Sequence, residues 1–244
     1  MARPFTIATI NYNTNRLTNV WLRSIIKHCR QDSLRIVILD NSDKEKFVPQ
    51  ISDKRLYVLN NTKSQFIDYK KELEKHGSKT SYIGWANLKH SIAVQWLIDN
   101  LKDDNMVLFD SDTVLKVPIQ FDFIDESCVT KADIQPEDSE FWHEPTKQHV
   151  VRRARFMPFM QYFNIKMIRK LKLRYLDDSR IISGKNDPTL SWDTGAAFYA
   201  DVIRKNLPYK VFPIKRYVNH LKGGSWARVN SEEDFIRKNR LYWE

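Results

Sequence analysis

Three short apolar runs, FTIATI at 5–10, LRIVIL at 34–39 and MVLF at 106–109, each give way at once to Asn or Asp. The intervals between them carry helical spacing instead. Leu17, Val20, Trp21, Ile25 and Cys29 recur on one helical face, and the segment 85–101 places Leu88, Ile92, Trp96 and Leu97 on the apolar side of an amphipathic helix. A strand, a helix and a second strand within about 40 residues make a βαβ unit, whose strands run parallel with a right-handed crossover. LYVL at 56–59, followed by Asn60-Asn61, adds a short strand and a turn. This alternation predicts a single α/β, Rossmann-like domain with a mostly parallel central sheet flanked by helices. Past Asp112 the pattern loosens. Residues 121–129 read as strand-like, 159–176 as helical, 190–205 as a short apolar stretch and 211–214 as a late strand, with no linker between independent domains.

The strand ends carry the chemistry. In an open parallel sheet, ligands collect at the carboxyl ends of the strands, and Asp110-Ser111-Asp112 stands at such an end. Two carboxylates one residue apart can share a hard divalent cation, Mg2+ or Mn2+, that keeps positions open for phosphate oxygens. The same tripeptide also serves as an ordinary turn or helix cap. Asp40 ends the second strand, where it either accepts a hydrogen bond from a ribose or base or turns the chain through Asp40-Asn41-Ser42-Asp43. Later comes His220, in the segment NHLKGGSW. Two of only six glycines sit beside it, so backbone amides can approach a phosphate, while His220 could complete a metal shell and Lys222 could hold a diphosphate as a point charge. Asp193, in Trp192-Asp193-Thr194-Gly195, could take a proton from an acceptor hydroxyl. Asp187 competes for that role, and either residue could instead cap a helix starting near Thr194.

Charge narrows the partners. The chain of 244 residues carries a net charge of +10, and residues 152–175 hold eight Lys or Arg and no acid, interleaved with aromatics. Such a surface favours nucleic acid, an anionic membrane or a phosphorylated substrate. No apolar run approaches the ~20 residues that cross a bilayer. The N-terminus enters a strand directly, so no signal peptide is expected, and Cys29 and Cys128 lack metal spacing, which fits a reducing cytoplasm.

Together the TIATINYN opening, the LRIVILDNSD strand end, the helix before VLFDSD and the late NHLKGGSW resemble the GT-A glycosyltransferases, particularly the family 2 type of bacterial surface-polysaccharide assembly. Residues 120–185 match no part of that pattern. The resemblance implies a nucleotide-binding half at 1–115 and an acceptor-binding half at 116–244. Thr9, Asn11 and Asn13 would line the nucleotide pocket, Asp40 would contact the base, and Asp110 would lie near the ribose and the metal. Asp112 would be the principal metal ligand and His220 the late one, with Asp193 as the base of an inverting transfer. The implied reaction moves a sugar from a nucleoside diphosphate donor, UDP favoured, to a hydroxyl of a glycan or lipid-linked acceptor. Two departures stand: Trp-Asp-Thr-Gly replaces the Glu-Asp pair common in family 2, and NHLKGGSW is loosely similar to the late His-Gly-Lys motif of some retaining transferases. The basic segment would then face the acceptor or the inner membrane surface. The competing reading is a nucleic-acid-binding protein using that segment, which gives no reason for the separate Asp and His positions. A metal-dependent nucleotidyltransferase using it could recruit Asp110 and Asp112, although two-metal sites usually need more clustered carboxylates.

Overall fold

The computed structural model describes residues 5–61, 64–75, 85–119, 123–143, 147–176, 190–191, 193–221 and 229–244. The first half runs β1 (Phe5–Asn11), α1 (Asn15–His28), β2 (Leu34–Asp40), β3 (Leu56–Asn60), α2 (Tyr69–Lys75), α3 (Trp85–Asn100) and β4 (Asn105–Asp110). The second begins with the short strands β5 (Thr113–Leu115), β6 (Thr130–Ala132), β7 (Ile134–Gln135), β8 (Ser139–His143), β9 (Gln148–Arg152) and β10 (Arg155–Phe156). It continues through β11 (Met160–Asn164), α4 (Ile165–Lys170), β12 (Leu190–Ser191), α5 (Ala196–Arg204), β13 (Tyr209–Val211), β14 (Val218–His220) and α6 (Val229–Lys238).

Seven strands form the central sheet in the order β13-β6-β11-β4-β1-β2-β3. β1 pairs in parallel with both β2 and β4, β2 with β3, and β13 with β6. β11 is antiparallel to both of its neighbours, β4 and β6. The strands read as continuous apolar runs because both faces are covered. Phe5 and Ile7 of β1, with Ile36, Ile38, Val107 and Phe109, pack on Trp21, Leu22 and Ile25 of α1. Ala8, Ile10, Leu39 and Leu108 face the other way, onto Leu88, Ile92 and Leu97 of α3 and Phe198 of α5.

Where the fold departs from the sequence pattern, tertiary packing is the reason. Residues 159–176 do not form one helix. β11 occupies 160–164, fully buried at the middle of the sheet, and α4 begins only where the Asn164 side chain accepts the Met167 N–H at 3.0 Å as an N-cap. A five-residue segment, MQYFN, is too short for its spacing to separate a buried strand from a helix. The helix α3 is enclosed nearly all round instead of amphipathic, since Ser91, Ala93, Val94, Gln95 and Ile98 are buried too. Gln95 Oε1 accepts the Tyr175 N–H at 2.7 Å, and the Arg169 guanidinium caps the C-terminal carbonyls of Ile98 and Leu101 at 2.5–2.9 Å. Residues 123–129 form a turn, not a strand, closed by the Asp125 carboxylate on the Ser127 N–H at 2.9 Å; residues 121 and 122 lie outside the described residues. The late strand is 209–211 and stops before Pro213, which has no N–H to offer a ladder.

Gly195, at the entry to α5, has φ of +85°, and a Cβ there would lie 2.6 Å from the Phe156 carbonyl oxygen and 3.3 Å from the Tyr175 hydroxyl. Gly195→Ala is therefore expected to cost about 2 kcal/mol through backbone strain and a clash that only main chain could relieve. Urea unfolding checks this: the midpoint should fall with the slope unchanged.

Candidate metal and donor site

Three side chains chosen from the sequence converge. β4 ends at Asp110, and the Thr113 hydroxyl donates to the Asp110 carbonyl at 2.7 Å, closing the turn that carries Ser111 and Asp112. β5 then pairs antiparallel with β14, setting Thr113 opposite His220, and the Leu221 N–H donates to the Asp112 carbonyl at 3.1 Å. That ribbon brings His220 Nε2 to 3.1 Å from Asp112 Oδ1 and 3.8 Å from Asp110 Oδ2. One ligand atom from each residue falls within 4.8 Å of the others. Two carboxylate oxygens and one imidazole nitrogen fit Mn2+ or Mg2+ with coordination positions to spare. Burial is the main force pushing the Asp110 carboxyl up; His90 opposes it, the neighbouring Asp112 charge adds to it, and His220 and Arg155 pull it back. A divalent cation relieves that like-charge crowding, so the residues present suit one.

His90, on α3, was not singled out by the sequence. Its Nε2 stands 3.6 Å from Asp110 Oδ1, and its Nδ1 is buried without a hydrogen-bond partner. Phe159 is a second addition: its ring stacks on the His220 imidazole, with centroids 3.8 Å apart and planes 29° apart. Neither position falls in a motif, and only the fold brings them here.

The loops after β1 and β2 form the opposite wall. Thr9 and Asn11 are 0% exposed and Asp40 is 3% exposed, and all three bond within the protein. The Thr9 hydroxyl donates to the Phe109 carbonyl at 2.9 Å. Asn11 Nδ2 lies 2.8 Å from Asn15, Asp40 and Ser42 oxygens, while its Oδ1 accepts from the Thr14 and Thr18 hydroxyls at 2.9 and 2.6 Å. Asp40 also accepts the Ser42 and Phe47 N–H groups at 3.1 and 2.7 Å. These side chains shape the loop from within. Tyr12, Asn13 and Asp43 face outward: the Tyr12 hydroxyl and Asn13 Nδ2 donate to Asp43 at 2.8 and 2.7 Å, and Lys89 Nζ lies 5.6 Å from the Tyr12 ring centre. The Thr14 and Ser111 hydroxyls, 3.0 Å apart, join this loop to the Asp110–Asp112 turn. Lys222, with Gly223 and Gly224, lies outside the described residues, as do Asp187 and Trp192.

Asp193 does not stand alone. Oδ2 pairs with Arg155 Nη1 and lies 3.3 Å from Arg152 Nε, while Oδ1 accepts the Thr194 N–H at 2.8 Å. Burial lowers the Arg155 pKa, and the Asp193 charge works against that. The Arg152 guanidinium also lies 4.6 Å from the Phe141 ring centre. Both arginines come from the basic run, so part of that run is internal to the site. Arg155 Nε and the Tyr175 hydroxyl are buried here without hydrogen-bond partners, as is His90 Nδ1 beside Asp110. Unmet buried polar atoms in one region suit a place that receives a polar ligand.

No protein-family model matches the chain, and no curated protein matches it in sequence. Solved structures do. The galactosyltransferase LgtC, solved with donor and acceptor sugar analogues, superposes with a TM-score of 0.55 at 13% identity, covering 97% of this chain and 95% of that one. Mouse xyloside xylosyltransferase 1, in its apo form, gives 0.54 at 12% identity over 86% and 85% of the two chains. At these identities the likeness is one of fold: a mostly parallel seven-stranded sheet flanked by helices in a single domain, as in these GT-A-like glycosyltransferases.

The side chains of Arg155 and Asp193 are 9% and 13% exposed. Asp193→Asn is expected to lower the unfolding free energy by about 3 kcal/mol, because it leaves Arg155 as an unpaired buried cation. Adding Arg155→Met should recover part of that loss in urea unfolding. A single variant as stable as the unchanged protein would mean the pair contributes nothing.

Proposed function

We propose that the chain is a metal-dependent glycosyltransferase that moves a sugar from a nucleoside diphosphate donor to a hydroxyl of a glycan or lipid-linked acceptor. The observation that carries this reading is the convergence of Asp110, Asp112 and His220 at the carboxyl end of β4, in a fold shared with sugar-transferring enzymes. Asp110, Asp112 and His220 hold the cation, with Asp110 also close to the ribose. The ion they would hold, Mn2+ or Mg2+, would supply Lewis-acid neutralisation to the leaving diphosphate. Lys222, two residues after His220, adds a point charge to the same phosphates. Thr9, Asn11 and Asp40 act on the nucleotide by fixing the loop, and Tyr12 and Asn13 present its outward face to the base, with UDP the favoured donor.

Residues 1–115 serve the nucleotide and 116–244 the acceptor. Asp193 is assigned the acceptor's proton in an inverting displacement. A carboxylate held by two guanidinium groups is a weak base, so this role requires an arginine to leave Oδ2 as the acceptor enters. An inverted anomeric configuration in the product, read by NMR, is the matching outcome, and retention removes Asp193 from that role. Family 2 chemistry in surface-polysaccharide assembly is the setting we favour, in the cytoplasm. None of the described helices is long and apolar enough to cross a membrane. Exposed Lys166, Lys170, Lys172 and Arg174 offer a small basic face to an anionic membrane. Nucleic-acid binding is disfavoured, because Arg152, Arg155 and Arg169 of the basic run are engaged within the protein.

Thermal stability in the presence of nucleoside diphosphates, with and without Mn2+, tests the donor site. One nucleotide should stabilise the protein only with metal, by about 2.7 kcal/mol at a hundredfold excess over Kd. Asp112→Ala should abolish the effect. Absence of a shift with every nucleotide would leave the Asp110–Asp112 turn without a ligand and end the proposal.

A further inference from the structure

We infer that Phe159 is a positioning residue for the cation site, setting the angle at which His220 meets the two carboxylates; this rests on the metal reading above. His220 closes a strand of only three residues, and the backbone ties around it are the β5–β14 register and the Leu221 bond to Asp112. Those ties fix the main chain. They leave the imidazole to turn about its outer torsion, which is broad and roughly two-fold for this kind of side chain. The stacked Phe159 ring restricts that turn from the ring face, alongside the 3.1 Å contact of Nε2 with Asp112, and so keeps the Nε2 edge toward Asp112 and Asp110.

Phe159 is itself well anchored. Its carbonyl accepts the Asp110 N–H at 3.3 Å, and the next residue, Met160, is fully buried and pairs with Phe109 across β11 and β4. Its ring packs on the apolar cluster beneath α1. One residue therefore touches two ligand-bearing segments that are distant in sequence, reaching Asp110 through its backbone and His220 through its ring. It has no metal-binding atom, so any effect on the cation passes through those two ligands.

The test is Mn2+ binding by calorimetry, alone and with UDP, for the unchanged protein, Phe159→Leu, Phe159→Tyr and Phe123→Leu. Phe123 belongs to the same apolar cluster, and its ring neighbours are Tyr162, Phe212 and Tyr217. Phe159→Leu should bind Mn2+ about tenfold more weakly, the scale on which supporting residues tune metal sites. Phe159→Tyr keeps a stacking ring and should stay within about twofold of the unchanged protein. Phe123→Leu should lower the melting temperature and leave Mn2+ affinity alone. Equal affinity for Phe159→Leu and the unchanged protein overturns the inference, as does an equal loss in Phe123→Leu. If the unchanged protein binds no Mn2+ in either condition, the metal reading fails first and the inference goes with it.

Discussion

The parallel register of β1 between β2 and β4 sets everything else in the site. It aligns Asn11 with Asp40 and Ile10 with Asp110, so three strands end at one level and their last polar residues emerge on one edge. A parallel ladder stopped in this way leaves main-chain groups to be satisfied by whatever follows. Here the ladder runs on into the loops, with Asn41 N–H on the Asn11 carbonyl and Asn61 N–H on the Asp40 carbonyl, at 2.9 and 2.8 Å. The buried Asn11 and Asp40 side chains then fold those loops back. Hydrogen bonds to a charged group contribute about 1.5–3 kcal/mol each, so the Asp40 contacts to Ser42, Phe47 and Asn11 are enough to hold the wall without a ligand.

β11, antiparallel to its neighbours in the seven-stranded sheet, has the complementary effect. Because β11 runs against its neighbours, it begins at the edge where they end. The residues just before it, 152–159, are delivered to the mouth of the sheet, which is why Arg152, Arg155 and Phe159 meet Asp193 and His220 there. A stretch that looks like a basic surface in the sequence becomes part of the site through strand direction alone. Of its remaining charges, Arg153 pairs with Asp138, Arg169 caps α3, and the rest are exposed on α4 and the turn after it.

This explains what could be read from the sequence and what could not. β1, α1, β2 and β4 were legible because strands covered on both faces must be apolar throughout, and because Asn or Asp stops each one. Asp110, Asp112 and His220 stood out as polar residues at the ends of apolar runs, and the fold brings one ligand atom from each within 4.8 Å of the others. Thr9, Asn11 and Asp40 looked the same in the sequence as residues that face a ligand, since a polar side chain at a strand end has one spelling whether it points out or in. β11 was hidden by its length, and α3 looked amphipathic because its second cover comes from residues 70 to 80 positions later. His90 and Arg155 gave no local signal at all; their partners are assigned by packing.

The balance of charge around Asp110 follows from these placements. Among the described residues, three carboxylates, Asp110, Asp112 and Asp193, share the region with two guanidinium groups. Both arginines pair with Asp193, and Arg155 reaches Asp110 only as a weaker electrostatic influence. The Asp110–Asp112 pair thus has imidazoles for neighbours, His220 and His90, while both arginines stand on the Asp193 side. A lone cation would suit the first half and a lone anion the second. Under the proposed function, a cation together with a diphosphate would suit both, the carboxylates holding the ion and the arginine side drawing the phosphates. On that reading, the pairing of both arginines with Asp193, and not with Asp110 or Asp112, is what would let one site take an ion and its anionic ligand together.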